Sequence, residues 1–202
     1  MKKMFLASSF TSVSTLFADF ENNLKGKTVT VIPTASRVER VNFYVWTGKR
    51  ALKKLGLSVD VLEISTSSID KIERKIKEND FIYITGGNTF FLLQELRRTG
   101  ADKIIIDEVN AGKTYIGESA GSIVTSTNIE YIKEMDSIKK APSLADYNSL
   151  GLIDFHPVPH FNNVPFKKSA QKIIDNYSSS MKLLPFSNNQ AITIENGKVT
   201  LK

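Results

Sequence analysis

The chain has 202 residues, 41% hydrophobic and 24% charged, which is ordinary globular usage and argues against disordered, collagen-like and membrane-embedded classes. Its apolar runs fall far short of the ~20 residues of a bilayer span, and the absence of cysteine excludes disulfides, thiolate metal sites and a cysteine nucleophile while suiting a cytoplasmic protein. The net charge of +6 is scattered: Lys49-Arg50, Lys53-Lys54 and Lys71 to Lys77 are broken by Glu73 or by apolar residues, so they read as solvated helix faces and no nucleic-acid partner is expected.

In chain order, Met1-Lys2-Lys3 looks like the start of a signal peptide, but the apolar run Met4 to Ala7 is shorter than the ~7–15 residues such a segment uses. A first strand over Met4–Ser8 is the better reading. Val13, Leu16, Phe17, Phe20 and Leu24 then recur at helical spacing before Gly26. Thr28–Pro33 predicts a strand, followed by a helix carrying Val41, Val45, Leu52 and Leu55 and closed by Gly56. A third strand spans Ser58–Ile64, a helix carries Ile69, Ile72 and Ile76, and Asp80–Thr85 is the fourth strand. Asn88 caps a helix over Thr89–Arg98 that Gly100 stops, and a further helix with Ile104, Ile105 and Val109 ends at Gly112. Lys113–Gly117 is the fifth strand, and Asn196-Gly197 between alternating apolar residues signals a closing hairpin. Without a repeat or a linker, residues 1–202 are expected to form one domain. Strands alternating with helices imply a mostly parallel sheet covered on both faces, a three-layer α/β sandwich. Ligands of such sheets bind at the carboxyl ends of the strands, so the residues just after each strand matter most.

After the fifth strand stands Gly117-Glu118-Ser119-Ala120-Gly121, a Gly-x-Ser-x-Gly pattern in the strand-turn-helix setting of a nucleophile elbow. The strained turn needs small neighbours, and Gly117, Ala120 and Gly121 are small. Ser119 would stand at a helix N-terminus, where backbone N–H groups favour developing negative charge. A serine hydroxyl needs a base. The two histidines, His156 and His160, lie in one segment with Pro157 and Pro159, which forbid a helical metal pair. In an extended segment their rings would share one face, and spacing alone does not choose between them. Gly86-Gly87-Asn88-Thr89 after the fourth strand lets the backbone approach a substrate and aim N–H groups at an oxyanion.

These segments together, from Gly86-Gly87-Asn88-Thr89-Phe90 through Tyr115-Ile116-Gly117-Glu118-Ser119-Ala120-Gly121 to Pro159-His160-Phe161 and Asn189-Gln190-Ala191-Ile192, resemble the dipeptidase E and cyanophycinase family of serine peptidases. That family has a flavodoxin-like fold similar to class I glutamine amidotransferases. The resemblance implies Ser119 as nucleophile, His160 as base, Gly87 and Ala120 as oxyanion donors, and Gly86, Asn88, Thr89 and Glu118 beside the substrate. It also implies a short-peptide substrate, an aspartyl dipeptide among the options, with no cofactor or metal and with either a monomer or a homodimer.

One departure stands out. The acidic residue that the family carries before the Asn-Gln-Ala segment is replaced by Asn188, which can orient an imidazole but does not stabilise imidazolium as a carboxylate does. Asp136 and Asp154 are the alternative acids. Arg37 and Arg40, just beyond the second strand, are candidates for holding a substrate carboxylate. An esterase or deacylase, or a binding protein that lost catalysis, are the rival readings.

Overall fold

Strand side chains alternate between two faces, and in the central strands of this chain both faces are apolar and buried. The computed structural model describes residues 2–202. Its strands are β1 (Lys3–Ala7), β2 (Thr28–Ile32), β3 (Ser58–Val61), β4 (Phe81–Ile84), β5 (Thr114–Glu118), β6 (His156–Val158), β7 (Leu183–Pro185), β8 (Ala191–Glu195) and β9 (Lys198–Leu201). Its helices are α1 (Phe10–Phe20), α2 (Phe43–Lys54), α3 (Ile69–Glu78), α4 (Thr89–Thr99), α5 (Ala101–Asn110), α6 (Ala120–Ile123) and α7 (Lys167–Tyr177).

Seven strands form one sheet in the order β3-β2-β4-β5-β1-β8-β9. The first five pair in parallel, and the hairpin β8–β9 adds antiparallel to β1. Phe5 and Ala7 of β1, Val29 and Val31 of β2, and Phe81 and Tyr83 of β4 face Phe10 and Phe17 of α1 and Leu52 of α2. Met4, Leu6, Ile32, Ile82 and Ile84 face the other way, against Ile72, Ile76, Leu93, Leu96 and Ile105 of α3, α4 and α5. The result is an α/β protein of three layers. Phe5 meets Phe17 edge-on at 5.3 Å between centroids, a contact worth about 0.5–1.5 kcal/mol beyond its buried area.

Several boundaries differ from expectation. Beyond β2 the chain makes a 3₁₀ turn over Thr34–Val38, fastened by Ser36, whose N–H and hydroxyl both donate to the Pro33 carbonyl at 2.9 and 2.7 Å. The helix therefore starts only at Phe43, and Val41 lies outside it, exposed. β3 stops at Val61 because Ile64 opens a second 3₁₀ turn, whose Glu63 cap accepts from Ser65 N–H and the Thr34 hydroxyl. α1 ends at Phe20, and Leu24 is buried beyond it. The caps of α4 are as expected: Asn88 Oδ1 accepts from Phe91 N–H at 2.9 Å, and Gly100 is left-handed with φ 75°. A separate parallel pair, β6–β7, carries the histidine segment over the end of the main sheet. Its strands have three residues each, too short for any periodicity to reveal.

Candidate active site

The loops that leave β1, β4 and β5 at their carboxyl ends meet in one cleft of about 600 Å³. From β5 the chain turns at Ser119 with φ 50° and ψ −107°, a conformation costly for a residue with a side chain. Close packing enforces it: a Cβ at Gly121 would lie 2.2 Å from the Ile84 carbonyl oxygen, so only glycine lets the elbow approach β4. The main chain of β1 anchors the turn, since the Ala7 carbonyl accepts from both Ser119 N–H (2.9 Å) and the Ser122 hydroxyl (2.8 Å). The following helix α6 is one turn long, which leaves little of the dipole expected at Ser119.

His160 stands just past β6 with φ 62°, and this left-handed step separates the two histidines. Its Nε2 lies 2.9 Å from Ser119 Oγ. His156 remains in β6, packed edge-on against Tyr131 at 5.1 Å, so the expected shared face does not form. Phe166 stacks on the His160 ring at 4.8 Å and 29° between planes. Behind the ring, Asn188 Oδ1 is 2.8 Å from Nδ1. Ser8, the first residue after β1, was not foreseen: its hydroxyl donates to Asn188 Oδ1 (2.7 Å), lies 3.0 Å from His160 Nδ1, and accepts from His160 N–H (2.7 Å). The cue was its place at a strand's carboxyl end. Burial holds the His160 pKa below the usual 6.5, partly opposed by the Asn188 hydrogen bond.

Asp136, the alternative acid, makes no hydrogen bond to His160, whose Nδ1 faces Ser8 and Asn188. Its Oδ2 accepts from Thr89 N–H (2.8 Å) and the Thr89 hydroxyl (2.5 Å), and burial raises its pKa to about 6. These bonds fix it on the start of α4, where it lines the cleft. Asp154 is an exposed partner of Lys182 at 3.1 Å.

Other expected substrate contacts turn out to be occupied by the fold. Glu118 accepts from Phe10 N–H (2.8 Å) and Tyr83 hydroxyl (2.6 Å), buried under the elbow with its pKa raised by that burial. Asn88 caps α4 and donates to the Ser137 carbonyl at 3.1 Å. Thr89 holds Asp136. Arg37 donates to Ser65 Oγ at 3.0 Å and does not line the cleft. Among the described residues the amides of Gly87 and Ala120 have no acceptor, which leaves both donors free. Gly87 has φ 135°, and a Cβ there would lie 2.2 Å from the Ala35 backbone. Phe43, Tyr44 and Val164 to Phe166 add apolar wall, and Glu39 and Lys140 add a charged pair. Tyr44 was also unforeseen; its hydroxyl is buried without a partner among the described residues, and burial raises its pKa.

The fold is thus a three-layer α/β sandwich that sets a serine–histidine pair at the carboxyl ends of its parallel strands. The chain belongs to Peptidase family S51, whose model matches residues 4–202. It is 58% identical to an uncharacterised peptidase of Listeria innocua over 202 residues, all of this chain and 97% of that one. A second such peptidase, from Pasteurella multocida, is 52% identical over 97% of this chain and 95% of its own. A 1.5 Å crystal structure from Listeria monocytogenes EGD-e, attributed to Peptidase E, superposes with a TM-score of 0.97 at 57% identity, covering 100% of this chain and 98% of that one. Peptidase E of Shewanella baltica is similar over a shorter stretch, 40% identical across half of this chain and 43% of its own. Among the described residues no helix is long and apolar enough to cross a membrane.

Proposed function

We propose that the protein is a serine-type peptidase of short peptides that works through an acyl-enzyme. The observation that carries this reading is the 2.9 Å approach of Ser119 Oγ to His160 Nε2 on a strained elbow. Ser119 Oγ attacks the scissile carbonyl carbon while its proton passes to His160 Nε2. The Gly87 and Ala120 amides receive the oxyanion. His160 then gives the proton to the leaving amine as the C–N bond breaks, and a water activated by His160 hydrolyses the ester to free Ser119. A cleft of about 600 Å³ suits a peptide of few residues. Selectivity for an aspartyl side chain would run through Lys140, the cation lining the cleft, which is bound to Glu39 at 2.7 Å. An esterase or deacylase would use the same steps on a different acyl group.

A second reading, a binding or regulatory protein that kept the fold, is favoured by one feature: the amide of Asn188 stands where a carboxylate would stabilise imidazolium.

Labelling with a fluorophosphonate, read by intact mass and peptide mapping, tests these readings. The expected result is one adduct at Ser119 that disappears in Ser119→Ala and His160→Ala, followed by turnover in a dipeptide library. An unlabelled, folded wild type would overturn the peptidase reading in favour of the binding protein; turnover of simple esters without any peptide would favour the esterase.

A further inference from the structure

We propose that Ser8 is a positioning residue for His160 and that, with Asn188, it does with two neutral groups what a single carboxylate does behind a catalytic histidine. The proposal rests on the peptidase reading for its kinetic consequences, but its structural content stands on the network itself.

The hydrogen-bond inventory of that network closes in one way. Ser8 Oγ has one hydrogen and two lone pairs. The hydrogen goes to Asn188 Oδ1 at 2.7 Å, one lone pair accepts from His160 N–H at 2.7 Å, and the other faces His160 Nδ1 at 3.0 Å. Asn188 Oδ1 has two lone pairs; one takes the Ser8 hydroxyl and the other faces Nδ1 at 2.8 Å. Both atoms therefore turn lone pairs toward Nδ1, an arrangement that one shared Nδ1 proton stabilises and a bare Nδ1 lone pair would repel. Nε2 is then left with its lone pair toward Ser119 Oγ, the tautomer a general base needs.

Asn188 alone would not enforce this. An amide can turn over and present its NH₂ to a bare Nδ1, which would protonate Nε2 and block proton transfer from Ser119. With Ser8 present, the turned amide would leave the hydroxyl and the NH₂ as two donors before the single in-plane lone pair of Nδ1. Ser8 thus decides which way the amide faces. It also accepts the N–H of a residue held at φ 62°, and it follows Ala7, whose carbonyl anchors the elbow. One step of chain therefore sets both partners of the 2.9 Å contact. Ser8 is buried, so bulk water is poorly placed to replace its hydroxyl.

The test uses the tautomer as its readout, because a merely structural role would not move it. The chain has two histidines, so in a His156→Gln background the ¹⁵N imidazole spectrum reports His160 alone. The expected spectrum has the proton on Nδ1 at pH 8. Ser8→Ala should shift it toward a mixture with Nε2–H and slow fluorophosphonate labelling of Ser119 by about tenfold or more. Ser8→Cys, which keeps the volume but bonds weakly, should fall between the two, and it serves if Ser8→Ala does not fold. An Nε2–H tautomer in the parent, or variants with an unchanged tautomer and labelling within about twofold, would overturn the proposal. A parent that has the expected tautomer but leaves Ser119 unlabelled would instead count against the peptidase reading while sustaining the positioning role.

Discussion

On its Nε2 side His160 faces Ser119, delivered by Gly117 to Gly121, five consecutive residues whose sizes dictate one strained turn. On its Nδ1 side it faces Asn188 and Ser8, which stand 28 and 152 positions away and reach it only after β1, β6 and the loop before β8 have been brought together. The first half is a local motif with almost no latitude; the second is a tertiary assembly of neutral groups whose protons could be arranged differently. The former fixes where Ser119 Oγ stands, and the latter fixes which ring nitrogen of His160 faces it. Substitutions on the two sides should therefore fail in different ways.

The largest effect belongs to the Nε2 side. Ser119→Ala should lower peptide turnover by about a thousandfold or more while leaving the thermal transition in place; activity equal to wild type would break the comparison at its root. Gly121→Ala should instead act through the fold. A Cβ set 2.2 Å from the Ile84 oxygen forces the elbow off β4, with an expected loss of roughly 1–3 kcal/mol in urea unfolding and loss of Ser119 labelling. If the variant kept both stability and labelling, the elbow would not be as tightly enforced as the packing implies.

The Nδ1 side is read by pH. Burial disfavours the imidazolium of His160, so the neutral base persists below pH 6.5 and activity is lost only as pH falls through that lowered pKa. Asn188→Asp places a carboxylate against Nδ1, stabilises imidazolium and should move the acid limb of kcat/KM to higher pH, with a gain of about tenfold in rate above pH 8. An unmoved limb would show that Asn188 does not govern the base. The smallest effect is expected at Asp136, which touches neither side of the ring. Its pKa is raised by burial to about 6, so the native state favours its protonated form; that contribution is present at low pH and is lost as pH rises through 6. Relative to Asp136→Asn, wild type should lose about 1–2 kcal/mol between pH 4 and pH 7.5 by urea unfolding. A constant difference across that range would mean that Thr89 supports the charged form fully.

Legibility in the sequence followed the same division. The parallel sheet could be read because strands alternate with helices from β1 to β5, and the elbow because its strain demands small residues at 117, 120 and 121. Asn88 and Gly100 announced α4 through cap chemistry. The choice between His156 and His160 was invisible to spacing, since it depends on a left-handed backbone at 160. Asn188 stood out as a departure from a family pattern, whereas Ser8 had only its place at the end of β1 to mark it. Glu118 and Asp136 look like free carboxylates in the sequence, but Phe10, Tyr83 and Thr89 already bind them in the fold.

The Ala7 carbonyl has a further consequence for engineering. Because it is backbone that holds both the Ser119 amide and the Ser122 hydroxyl, these two anchoring bonds do not depend on which side chain residue 7 carries. The cleft walls at Phe43, Tyr44 and Val164 could be recut for a different ligand, and the seat of Ser119 Oγ would travel unchanged from one design to the next.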